Sequence, residues 1–289
     1  MRIITLDGID YELPEAWDEV NQERLPNLIE LVYLTPESGQ MHHALIQLAL
    51  NIRPRVWKKL HKTHFSPDLP DSVRYANAEV LGQLVAWLSW MWLKPMNKPP
   101  FAQLQVDGHA WLLAEPDFMS MSYGELTDLY IHLQAFVEQL VPGEERLNYL
   151  VATACRPRPK RGYTLQPGWN GDHREEYNEF LVRERVKLAA KIDYRDRLAV
   201  MLYVAATIKN LMNRYALFES ESTSTASDAL PEAYSGQSFI KNAHLLAEKG
   251  IFGNLKQTQQ ANVHEVLLFL EEHRNDLLKQ QADANKDSD

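Results

Sequence analysis

Apolar and polar residues alternate in two short stretches of this chain and follow helical spacing almost everywhere else. The first alternation covers 2–13, with Asp7-Gly8 between two β-prone runs. Asp-Gly suits a two-residue hairpin turn because both positions accept positive φ, so a hairpin is expected, ended by Pro14. Leu28, Leu31 and Val32 share a helical face and predict a helix over 27–33. An apolar helix follows over 41–52 and stops at Arg53, because Pro54 disfavours the α region in the residue before it. The segment 75–93 reads as one long helix carrying Trp87, Trp90 and Trp92. Its apolar run, 81–93, is shorter than the ~20 residues a bilayer span requires, so a buried core helix is expected.

The second alternation surrounds Asp107-Gly108 over 104–113 and again ends near a proline, Pro116. A helix over 122–140 follows, with Ser122 as N-cap and Glu125 three residues on, the signature of a capping box. Pro142-Gly143 ends that helix, and a further apolar helix over 145–155 stops before Pro157. The stretch 158–171 is a Gly- and Pro-rich loop. Asp172 is placed to cap a helix over 175–192, with Glu175 at its third position, and Asp193 to cap another that runs to about 218. The segment 219–233 is Ser/Thr-rich and expected to be mobile. Closing helices are expected over 238–249 and 263–280, the second with Val266, Leu267, Leu270, Leu277 and Leu278 at helical spacing for a core or a partner. The polar end, 281–289, is expected to be disordered.

The halves echo each other. Asp7-Gly8 recurs at Asp107-Gly108, and Arg53-Pro54 recurs at Arg156-Pro157, with the same order of elements between the landmarks. This implies a structural duplication. The expected fold is α+β, mostly α, with two similar units, each a β-hairpin followed by helices, plus C-terminal helices. The expected boundaries are a first unit over 1–94, a Pro-rich hinge over 95–103 and a second unit over 104–218. A flexible linker over 219–237, C-terminal helices over 238–280 and a tail over 281–289 complete the chain.

Composition narrows the function by exclusion. A chain of 289 residues with 45% apolar and 24% charged residues can bury a substantial core. Its net charge of −9 argues against a dedicated nucleic-acid binder. The lone cysteine, Cys155, permits no internal disulfide and suits a reducing cytoplasm, and the polar start of the chain is unlike a secretion signal. No phosphate-binding Gly loop, Gly-x-Ser-x-Gly elbow or His-Glu-x-x-His sequence is present. His42-His43 and the His61/His64 pair, the latter at helical ligand spacing, lack a clear third ligand, so no metal and no cofactor are expected. Capping accounts for the acidic pairs at Asp172, Glu175 and Glu176. Cys155, in an apolar helix near its C-terminus, is expected to be buried and inert.

Two basic clusters remain. Arg53, Arg55, Lys58, Lys59 and Lys62 follow the first Arg-Pro landmark, with Trp57 among them. Arg156, Arg158, Lys160 and Arg161 follow the second, beside Tyr163. Basic residues mixed with aromatics can hold nucleic acid by phosphate contact and stacking. They can also complement helix C-termini or dock an acidic partner. Arg53, Arg55, Lys58, Lys59, Arg156, Arg158, Lys160 and Arg161 are therefore the candidate partner-binding residues.

From Leu147 onward the chain resembles phage tail-assembly chaperones and related proteins of tailed-phage tail gene clusters. The residues that carry the resemblance are the apolar helix ending at Arg156-Pro157, the stretch Asp172-His-Arg-Glu-Glu-Tyr-Asn-Glu-Phe, and Arg183-Glu-Arg-Val-Lys. Ile192-Asp-Tyr-Arg-Asp-Arg and Leu245-Leu-Ala-Glu-Lys-Gly-Ile-Phe-Gly continue it. The doubled arrangement departs from the single unit usual in that family. The resemblance implies a helical, non-enzymatic assembly factor of phage or phage-like tail morphogenesis that binds tape-measure and tail-tube proteins in the bacterial cytoplasm. It carries over no specific binding residue. A structural virion component and a nucleic-acid-associated accessory protein are the alternatives.

Overall fold

In a computed structural model, which describes residues 1–159, 162–167, 169–215 and 236–286, the chain is mostly helical with two small antiparallel sheets. This is the α+β, mostly-α architecture expected from the sequence. It divides into two compact units, Met1–Pro100 with Tyr194–Ala199, and Phe101–Asp193 with Val200–Asp289. The division at Pro100 falls inside the Pro-rich stretch 95–103.

The first unit opens with the hairpin β1 (Arg2–Leu6) and β2 (Ile9–Leu13), paired from Arg2↔Leu13 to Leu6↔Ile9. Asp7 and Gly8 form its turn with φ of 48° and 77°, a conformation that glycine adopts freely and aspartate more readily than most residues. The helix expected over 27–33 is shared between α1 (Leu25–Ile29) and a π-helical turn, Glu30–Leu34. The Ser38 hydroxyl caps α2 (Gly39–Ala49) by accepting from the Met41 N–H at 3.1 Å. α2 ends at Ala49, short of the expected Ile52, because Asn51 turns with a φ of 54°, and Pro54 instead opens α3 (Pro54–Phe65), where its missing N–H costs nothing. The basic segment after Arg53 is therefore a helix.

The single helix expected over 75–93 is α4 (Asp71–Trp87) followed by the short α5 (Trp90–Leu93). Its apolar run, 81–93, is core in part, with Leu84, Leu88, Trp90 and Met91 buried, whereas the first half of α4 is not. Only Leu84 of α4 is buried, while Val73, Tyr75 and Val80 are exposed. The tryptophans divide by position: Trp90 is buried, with its indole N–H donating to the Pro14 carbonyl at 2.8 Å and Trp17 edge-on at 5.1 Å, whereas Trp92 is exposed. The core of this unit forms around Leu28, Ile29, Leu45, Ile46, Leu88 and Met91.

The second unit begins with β3 (Gln103–Val106) and β4 (His109–Leu113), joined by Asp107-Gly108 with φ of 51° and 80°. α6 (Tyr123–Val137) and α7 (Glu145–Ala154) follow. The helix expected to reach Cys155 stops one residue earlier: Pro157 disfavours the α region at Arg156, and Cys155 is already extended. Cys155–Pro157 instead extends as β5 and adds to β4, from Leu113↔Cys155 to Trp111↔Pro157. After a loop come α8 (Glu179–Ala189) and α9 (Tyr194–Arg214), the latter begun in the first unit. α10 (Gln237–Glu248), α11 (Leu255–Gln260) and α12 (Val263–Lys286) close the chain.

These last helices, expected as a separate module, belong to the second unit. The Tyr123 hydroxyl donates to the Phe239 carbonyl at 3.2 Å, and the Val263 N–H donates to the Met121 carbonyl at 3.0 Å. Val266, Leu267 and Leu270 are buried, whereas Leu277 and Leu278, on the same stripe, are exposed. The expected disordered end is helical as far as Lys286. Residues 216–235, which contain most of the expected linker, and 287–289 lie outside the described residues.

The echo between the halves extends through a hairpin, a 3-10 turn (Trp17–Glu19 and Pro116–Phe118), two helical segments and Arg-Pro. It ends there. The first Arg-Pro starts a helix, and the second finishes a strand.

Candidate functional site

The two basic clusters have opposite fates. On α3, Arg55, Lys58, Lys59 and Lys62 recur at i, i+3, i+4 and i+7, which places them on one face. All four are exposed, as is Arg53 immediately before the helix. None of the five has an ion-pair partner among the described residues. The helix packs by its other side, where Trp57 and Phe65 lie edge-on to His43 at 5.9 and 5.5 Å.

Beside the start of α3, a groove of about 430 Å³ lies between the π-helical turn and α2. Leu31, Ala44, Leu48 and Ile52 give it apolar walls, and Arg24 and Arg53 also line it. Arg24 is held in place by donating from Nη1 to the carbonyls of Leu48 and Ala49, each at 3.3 Å. The groove and the cationic face thus meet at Arg53.

The second cluster does not form a surface. Arg156 is 1% exposed, so the outward-facing role expected for it is corrected. Its Nη2 donates to Glu125 Oε2 at 2.9 Å and to Asp172 Oδ2 at 3.1 Å. Arg174 closes the circuit, with Nη1 on Glu125 Oε1 at 2.8 Å, and Nε and Nη2 on the two oxygens of Asp172 at 3.0 and 2.9 Å. Arg174 Nη1 also donates to the Ala154 carbonyl at the end of α7, at 3.0 Å. Two carboxylates and two guanidiniums therefore neutralise one another where β5, α6 and the loop after β5 meet. Arg158 is exposed, and Lys160 and Arg161 lie outside the described residues.

The network also revises two capping assignments. Ser122 caps α6 by accepting from the Glu125 N–H at 3.2 Å, but the Glu125 side chain faces Arg156 and Arg174 and does not complete a box. Asp172 caps nothing; Asn178 caps α8, whose start lies four residues beyond the expected one. Glu175 pairs with Arg185. Arg174 escaped notice in the sequence. The available signal was Arg156 itself, which continues the fully buried run Leu150–Cys155 and so required a buried carboxylate.

Electrostatics separates the two arginines. Burial pulls the Arg156 guanidinium below its usual pKa, with Glu125 opposing the shift. Burial acts on Arg174 as well, but Glu125 and Asp172 outweigh it and raise its proton affinity. The difference follows from bonding: Arg174 uses all three guanidinium nitrogens, while Nε and Nη1 of Arg156 have no hydrogen-bond partner among the described residues. Both remain charged at neutral pH. Burial pushes the Cys155 thiol up to about 12, so it holds its proton at neutral pH and lacks the thiolate a nucleophile needs.

Next to the network, the Tyr177 hydroxyl donates to Asp128. Burial raises the Asp128 pKa above its ordinary 3.8, with the Tyr177 bond opposing. The resulting stabilisation is complete below pH 3.8 and is lost as pH rises through the raised folded value. Asp128→Asn removes that loss and keeps an acceptor for Tyr177. The variant should therefore be at least as stable as the parent at about pH 7, with the gap closing toward about pH 4, as measured by urea unfolding. Lower stability of the variant at neutral pH would contradict this account.

Of the histidines considered as ligands, His43 and His61 come together and His64 turns to another partner. His43 and His61 rings lie 5.0 Å apart, His64 bonds Asp7 at 2.7 Å, and burial lowers the His43 pKa. Among the described residues, no group of three or more His, Cys, Asp or Glu side chains is placed to hold a metal ion. Also among them, no helix is long and apolar enough to cross a membrane. No family model, curated protein or solved structure matches the chain.

Proposed function

We propose that the protein is a non-enzymatic assembly factor that binds protein partners through the cationic face of α3. We place it in phage or phage-like tail morphogenesis, with tape-measure and tail-tube proteins as partners. The observation that carries the binding role is the row of exposed, unpaired cations on α3 in a chain of net charge −9. An acidic protein that keeps one cationic helix face free of its own carboxylates has a surface complementary to acidic partners. The tail context comes from the sequence resemblance. The nucleic-acid alternative relied on two basic clusters, and it loses support because Arg156 is consumed inside the second unit.

Co-expression of the full chain with the tape-measure and tail-tube proteins of a tailed phage tests the proposal. A complex that co-elutes in gel filtration is expected, with the factor absent from purified particles. Lack of a complex with either protein would refute the tail assignment. Retention of the chain in finished particles would make it a virion component instead.

A further inference from the structure

The α3 face and the neighbouring groove together specify a ligand more closely than charge alone. The groove walls at Leu31, Ala44, Leu48 and Ile52 suit an apolar side chain, and no carboxylate lines them. Arg53 stands where the groove and the cationic face meet, and Arg55, Lys58, Lys59 and Lys62 continue from it along α3. An occupant matching both features has an apolar anchor followed by a row of carboxylates.

We propose that this site takes an acidic, amphipathic segment of a partner protein. One of the segment's apolar side chains seats between the π-helical turn and α2, and its Asp and Glu side chains lie along Arg53 and the α3 cations. An anchor in a pocket supplies affinity and residence time, while the surrounding charges supply register and association rate. Nucleic acid fits less well. Its backbone has no apolar group for the groove, and Trp57, the aromatic within the cationic stretch, is turned toward His43 instead of being offered for stacking. The inference rests on the reading of the α3 face as a protein-binding surface.

The test uses the full chain and a labelled helical peptide of Leu, Ala and Glu, followed by fluorescence anisotropy. Two control peptides replace Glu by Lys or Leu by Ala. The acidic amphipathic peptide is expected to bind, with affinity falling as salt rises, and both controls are expected to bind about tenfold or more weakly. Two variants separate the contributions: Arg55→Glu with Lys59→Glu reverses charge on the exposed face, and Ala44→Phe fills the groove. Each should weaken peptide binding about tenfold with an unchanged melting temperature. Equal binding of the Lys peptide, indifference to both variants, or tighter binding of a duplex DNA than of the acidic peptide overturns the inference. If tail proteins co-elute with the chain and neither variant disturbs the complex, the acidic-segment inference fails while the assembly role stands. Peptide binding without any tail-protein complex supports the acidic-segment inference and refutes the tail assignment.

Discussion

Replacing Glu125 with alanine is expected to cost the protein about 3–5 kcal/mol, the usual consequence of leaving buried charge without its partner. Glu125 is 1% exposed and accepts from both Arg156 and Arg174. Without it, two buried guanidiniums share only Asp172. Set against a total stability of about 5–15 kcal/mol, that loss would leave the second unit marginal or unfolded. Urea unfolding followed by circular dichroism measures the effect directly. The arginines should rank in a definite order: Arg174→Met should cost more than Arg156→Met, because Arg174 uses three nitrogens against carboxylates and Arg156 uses one. Removing the exposed Arg183–Glu179 pair should change stability by under ~1 kcal/mol. A small loss in Glu125→Ala, or the reverse order of the arginines, would show that the network does not hold this region together.

The second large effect is acid sensitivity at His132. This side chain lies on α6 against Tyr149 of α7, ring centroids 4.9 Å apart, and its Nδ1 has no hydrogen-bond partner among the described residues. Burial first, and the positive charge of Arg146 second, pull its pKa from 6.5 down to about 4. The unfolded chain therefore binds the proton more tightly. The stabilisation is present above pH 6.5 and is lost as pH falls from there through about 4, reaching about 3 kcal/mol. His132→Phe keeps a ring against Tyr149 and removes the titration. Parent and variant should diverge in unfolding free energy between pH 6.5 and about 4, with the variant the more acid-resistant. Parallel pH profiles would refute the assignment.

Both predictions lie in the second unit, and neither residue stood out in the sequence as more than a helix position or cap. Glu125 follows Ser122 at capping-box spacing, and that local pattern was realised only by the Ser122 hydroxyl. The carboxylate faces Arg174, 49 positions away, and sequence spacing gives no means of pairing them. The groove was hidden for the same reason. Leu31 comes from the π-helical turn, Ala44 and Leu48 from α2, and Ile52 from the bend before α3. Their apolar character was plain, but which of them would leave space between the helices depends on packing.

The sequence by itself determined the features governed by local backbone preference. Asp7-Gly8 and Asp107-Gly108 made hairpins because that dipeptide accepts the two positive φ values the turn requires. Pro157 barred the helix before it from continuing through Arg156, and the 3.6-residue periodicity made the chain mostly helical. The basic residues after Arg53 were legible only as a cluster; their common face appeared once that segment proved helical, since i, i+3, i+4 and i+7 are neighbours on any helix. Tertiary structure alone decided what followed each Arg-Pro. At Arg53 the chain joined neither strand of the first hairpin, and Pro54 began a helix that leaves its cations in water. At Arg156 the edge of β4 took up Cys155–Pro157, and the arginine on that strand entered the interior, where Glu125 and Asp172 had to meet it. Two nearly identical local signals thus gave an exposed charge and a buried one. Burial is set by what packs around a residue, and no dipeptide carries that information.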